Sequence, residues 1–219
     1  MTDAELETSE KTRKRKKAIF AASIGAVAGF LGAMAGLELA DSGMLGDFDV
    51  SREIAMLVGL IYIITAAAVL FGLASPKVGA TFLNVEDAEE LREQKTMLGY
   101  SGAGMASAGI ALIVVALGGD GGVLDPLTAL GIYVILTVVT VAVSLLSRKH
   151  QDELMRAIGQ ECAALAFYLV VLVGGTWALL DHLGIVPSPA ALDWLTMFWG
   201  LLLVGAFVGT ARRGMLEMR

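Results

Sequence analysis

The 219 residues are 56% hydrophobic, with a mean hydropathy of +0.72 and a formal net charge of −6. A soluble domain of this length has no interior able to hide so much apolar surface, whereas a bilayer accommodates it at about 20 residues per helical span. One cysteine, Cys162, excludes an intrachain disulfide and any multi-cysteine metal site.

The chain starts with the acids Asp3, Glu5, Glu7 and Glu10, followed by the basic run Arg13-Lys14-Arg15-Lys16-Lys17. Residues 1–17 read as a cytoplasmic tail whose bases meet anionic lipid headgroups. The first apolar run, 18–40, contains the small-residue pattern Ala33-Met34-Ala35 of a signal-peptide cleavage site. The acidic start and the continuation to Leu37 point instead to an uncleaved helix. Within this run Gly25, Gly29, Gly32 and Gly36 form two GxxxG steps, with Ala22, Ala26 and Ala33 beside them. Small residues four apart let helix backbones approach closely, so this face suits packing within the bundle, self-association or a membrane-protein partner.

The second run, 54–75, leads into a charged segment, 76–101. There Asn84 is expected to cap a helix whose first turns hold Glu86, Asp87, Glu89 and Glu90. Val85, Ala88, Leu91 and Leu98 form an apolar stripe at helical spacing. One helix from Asn84 to Gly118 would be about 52 Å long, against about 30 Å of hydrocarbon. The excess would project as a stalk or bend at Gly99, Gly102 and Gly104. The third and fourth runs are 102–118 and 127–147. Ahead of the fifth, 161–180, Asp152 and Glu153 are spaced to pair with Arg156, while Gly174-Gly175 marks a flex point. Trp177 and Trp194 flank a turn stiffened by Pro187 and Pro189 and suit interfacial anchoring. The last run, 194–211, repeats the small-residue device at Gly205 and Gly209, and 212–219 forms a second cytoplasmic tail.

All 16 Lys and Arg residues except Arg52 fall in segments 1–17, 76–101, 148–160 and 212–219. The alternate segments carry Glu38, Asp41, Asp47, Asp49, Glu53, Asp120, Asp125, Asp181 and Asp193. Basic loops stay cytoplasmic, so both termini are expected inside, and an uncleaved start suits a bacterial inner membrane. The expected fold is an all-α integral membrane protein whose six transmembrane helices form a bundle over 18–211. Its layout suggests three tandem two-helix hairpins. Glu89-Glu90-Leu91 aligns with Asp152-Glu153-Leu154, Val123 with Val186 and Pro126 with Pro189, a parallel repeat.

Chemistry-bearing residues are sparse. His150 and His182 fall on opposite sides of the membrane in this topology, which leaves no bis-histidine haem or His-rich metal site. No carboxylate or base lies in the middle of a span, and no phosphate loop, zinc-protease helix or serine-hydrolase elbow is present. Neither an enzyme nor a cofactor is expected, nor a nucleic-acid partner; the bilayer is the evident one. Seven neutral polar residues fall at mid-depth: Tyr62, Thr65, Ser107, Tyr133, Thr137, Thr140 and Tyr168. They serve either as interhelical hydrogen-bonding groups or as the lining of a neutral cavity. The functional expectation is a non-enzymatic inner-membrane bundle that binds, scaffolds or regulates another membrane component. The alternative is a small carrier for a neutral or amphipathic solute.

Overall fold

The computed structural model describes residues 3–43, 49–119 and 121–215. Asp47, Asp120 and the ends of both expected tails lie outside the described residues. The order is α1 Asp3–Asp41, α2 Val50–Ala74, α3 Pro76–Phe82, α4 Ala88–Glu93, α5 Lys95–Leu117, α6 Pro126–Arg148, α7 Glu153–His182 and α8 Ala191–Arg212. Among the described residues there is no strand beyond one isolated bridge, Gly118 to Leu124, in the α5–α6 turn. All helices but α3 and α4 are long and apolar enough to cross a membrane. The chain is an all-helical, multi-pass type of membrane protein.

Aspartates start most of these helices. Asp49, Asp125 and Asp152 each accept a backbone N–H in the first turn of α2, α6 and α7. At α8 the Asp193 carboxylate accepts the Ala190 N–H at 2.7 Å. Each satisfies donors that have no partner within the helix and places negative charge at the positive end of its dipole. Much of the acidity of the 49–53, 125 and 193 segments is therefore helix capping. Arg52, the isolated base among them, donates to the Gly118 carbonyl at the end of α5 at 3.3 Å.

The bundle is built around α5, whose apolar window is 44% buried against 6% for α6. The closest helix pair is α2 with α5, followed by α5 with α6, which makes a three-helix slab. Gly59 and Gly109 make the first contact possible: a Cβ on Gly109 would stand 2.6 Å from the Gly59 carbonyl oxygen. The α7–α8 hairpin is a second unit, joined closely where Gly205 lies against Ala166 and Gly209 against Cys162. It docks on the slab through α8 and α2. Ala55, Leu112 and Ala116 are buried there beneath Leu192, Leu195 and Trp199. α1 touches α2 and α3 and nothing else as extensively.

One end of the bundle gathers all the basic segments. Lys17 Nζ donates to the Val85 carbonyl at 2.6 Å, and Asn84 Nδ2 to the Met215 carbonyl at 2.6 Å. Arg213 pairs with Glu161 at 2.6 Å, and the Tyr100 and His150 rings lie 5.7 Å apart. We call this the basic end and the opposite one the acidic end.

Several local expectations are corrected. Asn84 does not cap the second lead-in, because that helix starts only at Ala88; Asp87 does, accepting the Glu89 and Glu90 N–H groups. The helix breaks at Gln94, ahead of the glycines, and no free stalk forms. Instead α3 folds back on α2, where a Cβ on Gly79 would meet the Gly72 carbonyl oxygen at 2.6 Å. The stripe residues Val85 and Leu91 then bury against Leu73, with Leu98 packed beside them. Residues 3–17 are helical and continuous with the rest of α1, since no Pro or Gly interrupts them. At the expected flex point α7 is unbroken; Gly174 is where Trp194 and Met197 of α8 approach.

Candidate functional site

A seam runs between the slab and the hairpin, with α6 on one side and α8 on the other. α6 packs on α5 but makes no comparably extensive contact with α7 or α8. Two clefts occupy this seam, one from each end. The acidic-end cleft, about 670 Å³, lies among the starts of α2, α6 and α8 and the end of α5; Arg52, Tyr133 and Leu195 line it. The basic-end cleft, about 450 Å³, lies among α5, α6, α7 and α8 and reaches Tyr62 and Trp199 at mid-bundle. On α8, Leu195 and Trp199 are one turn apart and line different clefts.

Tyr62 and Trp199, which both line the basic-end cleft, are paired. Tyr62 Oη donates to the Trp199 carbonyl at 2.9 Å, and the rings meet edge to face at 5.8 Å. This satisfies a hydroxyl that would be costly to leave bare in a low-dielectric interior.

Along α6 the seam is polar. Tyr133 lines the acidic-end cleft, and Thr140, Ser144 and Ser147 line the basic-end cleft, with Gln151 just past the helix end. Thr137 falls between the two sets. The spacing of three and four residues puts them all on one helix face. Thr140 Oγ1 donates to Leu136 O at 2.9 Å and Ser144 Oγ to Thr140 O at 2.7 Å, which leaves their lone pairs as acceptors. Among the described residues, Thr137 Oγ1 and the Trp199 indole Nε1 are both buried without a hydrogen-bond partner.

The seven mid-depth polar residues therefore divide. Tyr62 and Thr140 meet at the basic-end cleft, Tyr133 lines the other, and Thr137 falls between the two groups on α6. Ser107 is buried in α5, and Thr65 donates to its own helix at Ile61 O, 2.8 Å. Tyr168 stands apart, 68% exposed on the outside of α7. Ser144, Ser147, Gln151 and Trp199 went unassigned in the sequence. The signal for the first three was the same stripe, extended beyond mid-membrane; Trp199 had none.

The glycines also divide. Gly205 and Gly209 are used within the chain, and Gly32 faces Leu60 and Ile64 of α2. A Cβ on Gly25, Gly29 or Gly36 would meet nothing within 4 Å among the described residues. In the lead-in to α7, Asp152 accepts the Met155 N–H at 2.7 Å and forms no pair with Arg156, which instead lines the basic-end cleft. Among the described residues no cluster of three or more His, Cys, Asp or Glu could hold a metal ion.

Compared with known proteins, the chain matches no family model, no curated protein and no solved structure.

Proposed function

We propose that the protein is a non-enzymatic membrane carrier for an amphipathic solute, with the α6–α8 seam as its path. One observation carries the reading: two clefts enter the same seam from opposite ends, joined by a polar stripe on α6. The orphaned Thr137 hydroxyl and Trp199 indole N–H support it. A buried polar group without a partner destabilises the closed arrangement by about 1–3 kcal/mol, which lowers the cost of opening at that level. The docking of the hairpin mainly through α8 suits a rigid-body rocking of α7–α8 against the slab. In this reading the basic end is cytoplasmic, both termini are inside and the membrane is a bacterial inner membrane.

The test uses sealed liposomes containing the purified chain and a panel of apolar-bodied solutes. Saturable flux of at least one class, reduced by Tyr133→Phe or Thr137→Val, is the expected result. Labelling with an impermeant thiol reagent, in a Cys162→Ala background, should reach Ser144→Cys from one side and Tyr133→Cys from the other. Flux equal to empty liposomes across the panel, with both cysteines reached from one side, would sink the carrier.

A second reading rests on α1. Its Gly25, Gly29 and Gly36 positions are open among the described residues; Gly131, Gly159, Gly175 and Gly200 are open too, but none of these has a second open glycine four or seven residues away. This favours a scaffolding or regulatory role in which another membrane helix, or a second copy, packs against α1. Gly29→Leu with Gly36→Leu should then abolish an assembly seen by native mass spectrometry of the mildly solubilised protein. An assembly that survives both changes rules this surface out.

A further inference from the structure

The basic-end cleft has a lopsided lining. Two guanidinium groups, Arg148 at the end of α6 and Arg156 on α7, line it, and no Asp or Glu does. Neither side chain forms an ion pair or hydrogen bond among the described residues; Glu161 is committed to Arg213 at 2.6 Å and Asp152 to the start of α7, and Glu153, three residues before Arg156, is not part of the lining. Further in, the lining is mixed: Met105, Leu202 and the Trp199 ring give an apolar side, and Tyr62, Thr140 and Ser144 a neutral polar one. A cavity of about 450 Å³ falls within the range of small-molecule sites, which are mostly apolar with a few placed polar groups.

Cations at a membrane surface ordinarily pair with acids or reach toward headgroups. Here two line one concavity whose depth holds an apolar side and neutral polar groups but no acid. Because α6 ends at Arg148, its last turn offers carbonyls rather than N–H donors, so an anion must be held by the guanidinium forks themselves. Such forks match the oxygens of a carboxylate or phosphate in bidentate fashion.

We propose that the basic-end cleft binds an anionic amphipath, a carboxylate or phosphate on an apolar body. Arg148 and Arg156 hold the head, and Met105, Leu202 and Trp199 flank the body. This rests on the carrier reading and narrows its solute class. The same chemistry has two sources, the anionic lipid of the bilayer and a free amphipath from solution.

Trp199 supplies the reporter. A Trp177→Phe/Trp194→Phe variant keeps it as the sole tryptophan, and nanodiscs of neutral phosphatidylcholine provide the setting. The probe is 12-bromododecanoate, with 12-bromododecanol as its neutral counterpart. The carboxylate should quench Trp199 saturably, and Arg148→Gln/Arg156→Gln should weaken that binding by about tenfold or more, the loss of charge-assisted hydrogen bonds. Arg148→Lys/Arg156→Lys, which keeps the charges and removes the forks, should fall between the two. The alcohol should be indifferent to all four changes. Adding phosphatidylglycerol to the discs assigns the source: competition with the probe marks the bilayer's own lipid, and its absence marks a free amphipath. If both probes quench saturably and alike, with the Gln variants unchanged, the anion site is overturned while the carrier reading stands. Saturable quenching by neither probe overturns both.

Discussion

Gly109→Ala should destabilise the bundle more than any comparable change on α1. A methyl at Gly109 would stand 2.6 Å from the Gly59 carbonyl oxygen and 2.9 Å from both Ile63 Cγ1 and Tyr62 Cβ, well inside the 3.4 Å at which ordinary contact begins. A side-chain tip can swing away; a carbonyl within a helix cannot, so α2 and α5 must part. Overpacking of this kind costs about 1–3 kcal/mol. Alanine's better helix propensity returns up to about 1 kcal/mol. Because the clash is with backbone that cannot swing aside, the overpacking cost lies in the upper half of its range, about 2–3 kcal/mol. The net loss of about 1–2 kcal/mol corresponds to roughly 2–8 °C in Tm for a chain of this size. Thermal unfolding in detergent, followed by circular dichroism, reads it. Gly29→Ala, with nothing within 4 Å, is the control and should melt at or slightly above the wild type. Gly59→Ala should resemble Gly109→Ala, since its methyl meets the Gly109 carbonyl oxygen at 2.9 Å. The double variant should lose less than the two singles together, because the first substitution already separates the helices. Gly109→Ala melting within about 1 °C of the wild type, or Gly29→Ala proving the more damaging, would refute the α2–α5 contact.

Tyr62→Phe removes the hydroxyl that ties α2 to the Trp199 carbonyl and should lower stability by about 1 kcal/mol, visible as a lower midpoint in denaturant. Thr137→Val deletes an orphaned buried hydroxyl without changing shape much, so it should raise the midpoint by about 1 kcal/mol; a lower midpoint would mean that the hydroxyl has a partner after all. Glu161→Gln breaks the Arg213 pair, whose partners are half exposed, and should cost at most about 1 kcal/mol, shrinking in 0.5 M salt. Asp87 accepts two backbone N–H groups, of Glu90 and Glu89, which hold its carboxyl below the usual range. Its folded form is therefore the more acidic, and the stabilisation it gives α4 is full above the unfolded value near 3.8 and disappears as pH falls through the lower folded value. Hydrogen exchange across residues 88–98 should be faster in Asp87→Ala at neutral pH and match the wild type in strong acid.

The number and placement of the spans were legible because hydropathy and length are direct physical requirements of hydrocarbon. The gathering of bases at one end was legible for the same reason, and Lys17, Asn84 and Arg213 now tie that end together. What the sequence hid is contact. Gly25, Gly29, Gly32 and Gly36 look alike as text, yet only Gly32 meets α2, because a stripe of small residues does not say which neighbour will use it. Gly59 and Gly109, in no GxxxG step, make the closest backbone approach between two spans. Asn84 lost the cap to Asp87 because the helix starts only at Ala88, and its amide donates instead to a distant partner, the Met215 carbonyl, that no local rule anticipates. The polar face of α6 was half read: Tyr133, Thr137 and Thr140 stood out at mid-depth, while Ser144, Ser147 and Gln151 passed as ordinary residues near a helix end. Their common spacing was the available clue, and only the neighbouring hairpin gives it meaning.

The pairing of α2 with α5 cuts across the division into hairpins and bears on how the chain is made. A nascent chain releases its segments from the N-terminus, and early ones wait for their partners. Once α2 is inserted, its glycine face at Gly59 has no counterpart until α5 arrives with Gly109. Synthesis of α6 then completes the slab, and α7–α8 folds on itself before meeting it. The α6–α8 boundary is thus the final surface to assemble, and stalling translation after residue 150 should leave a slab already resistant to protease.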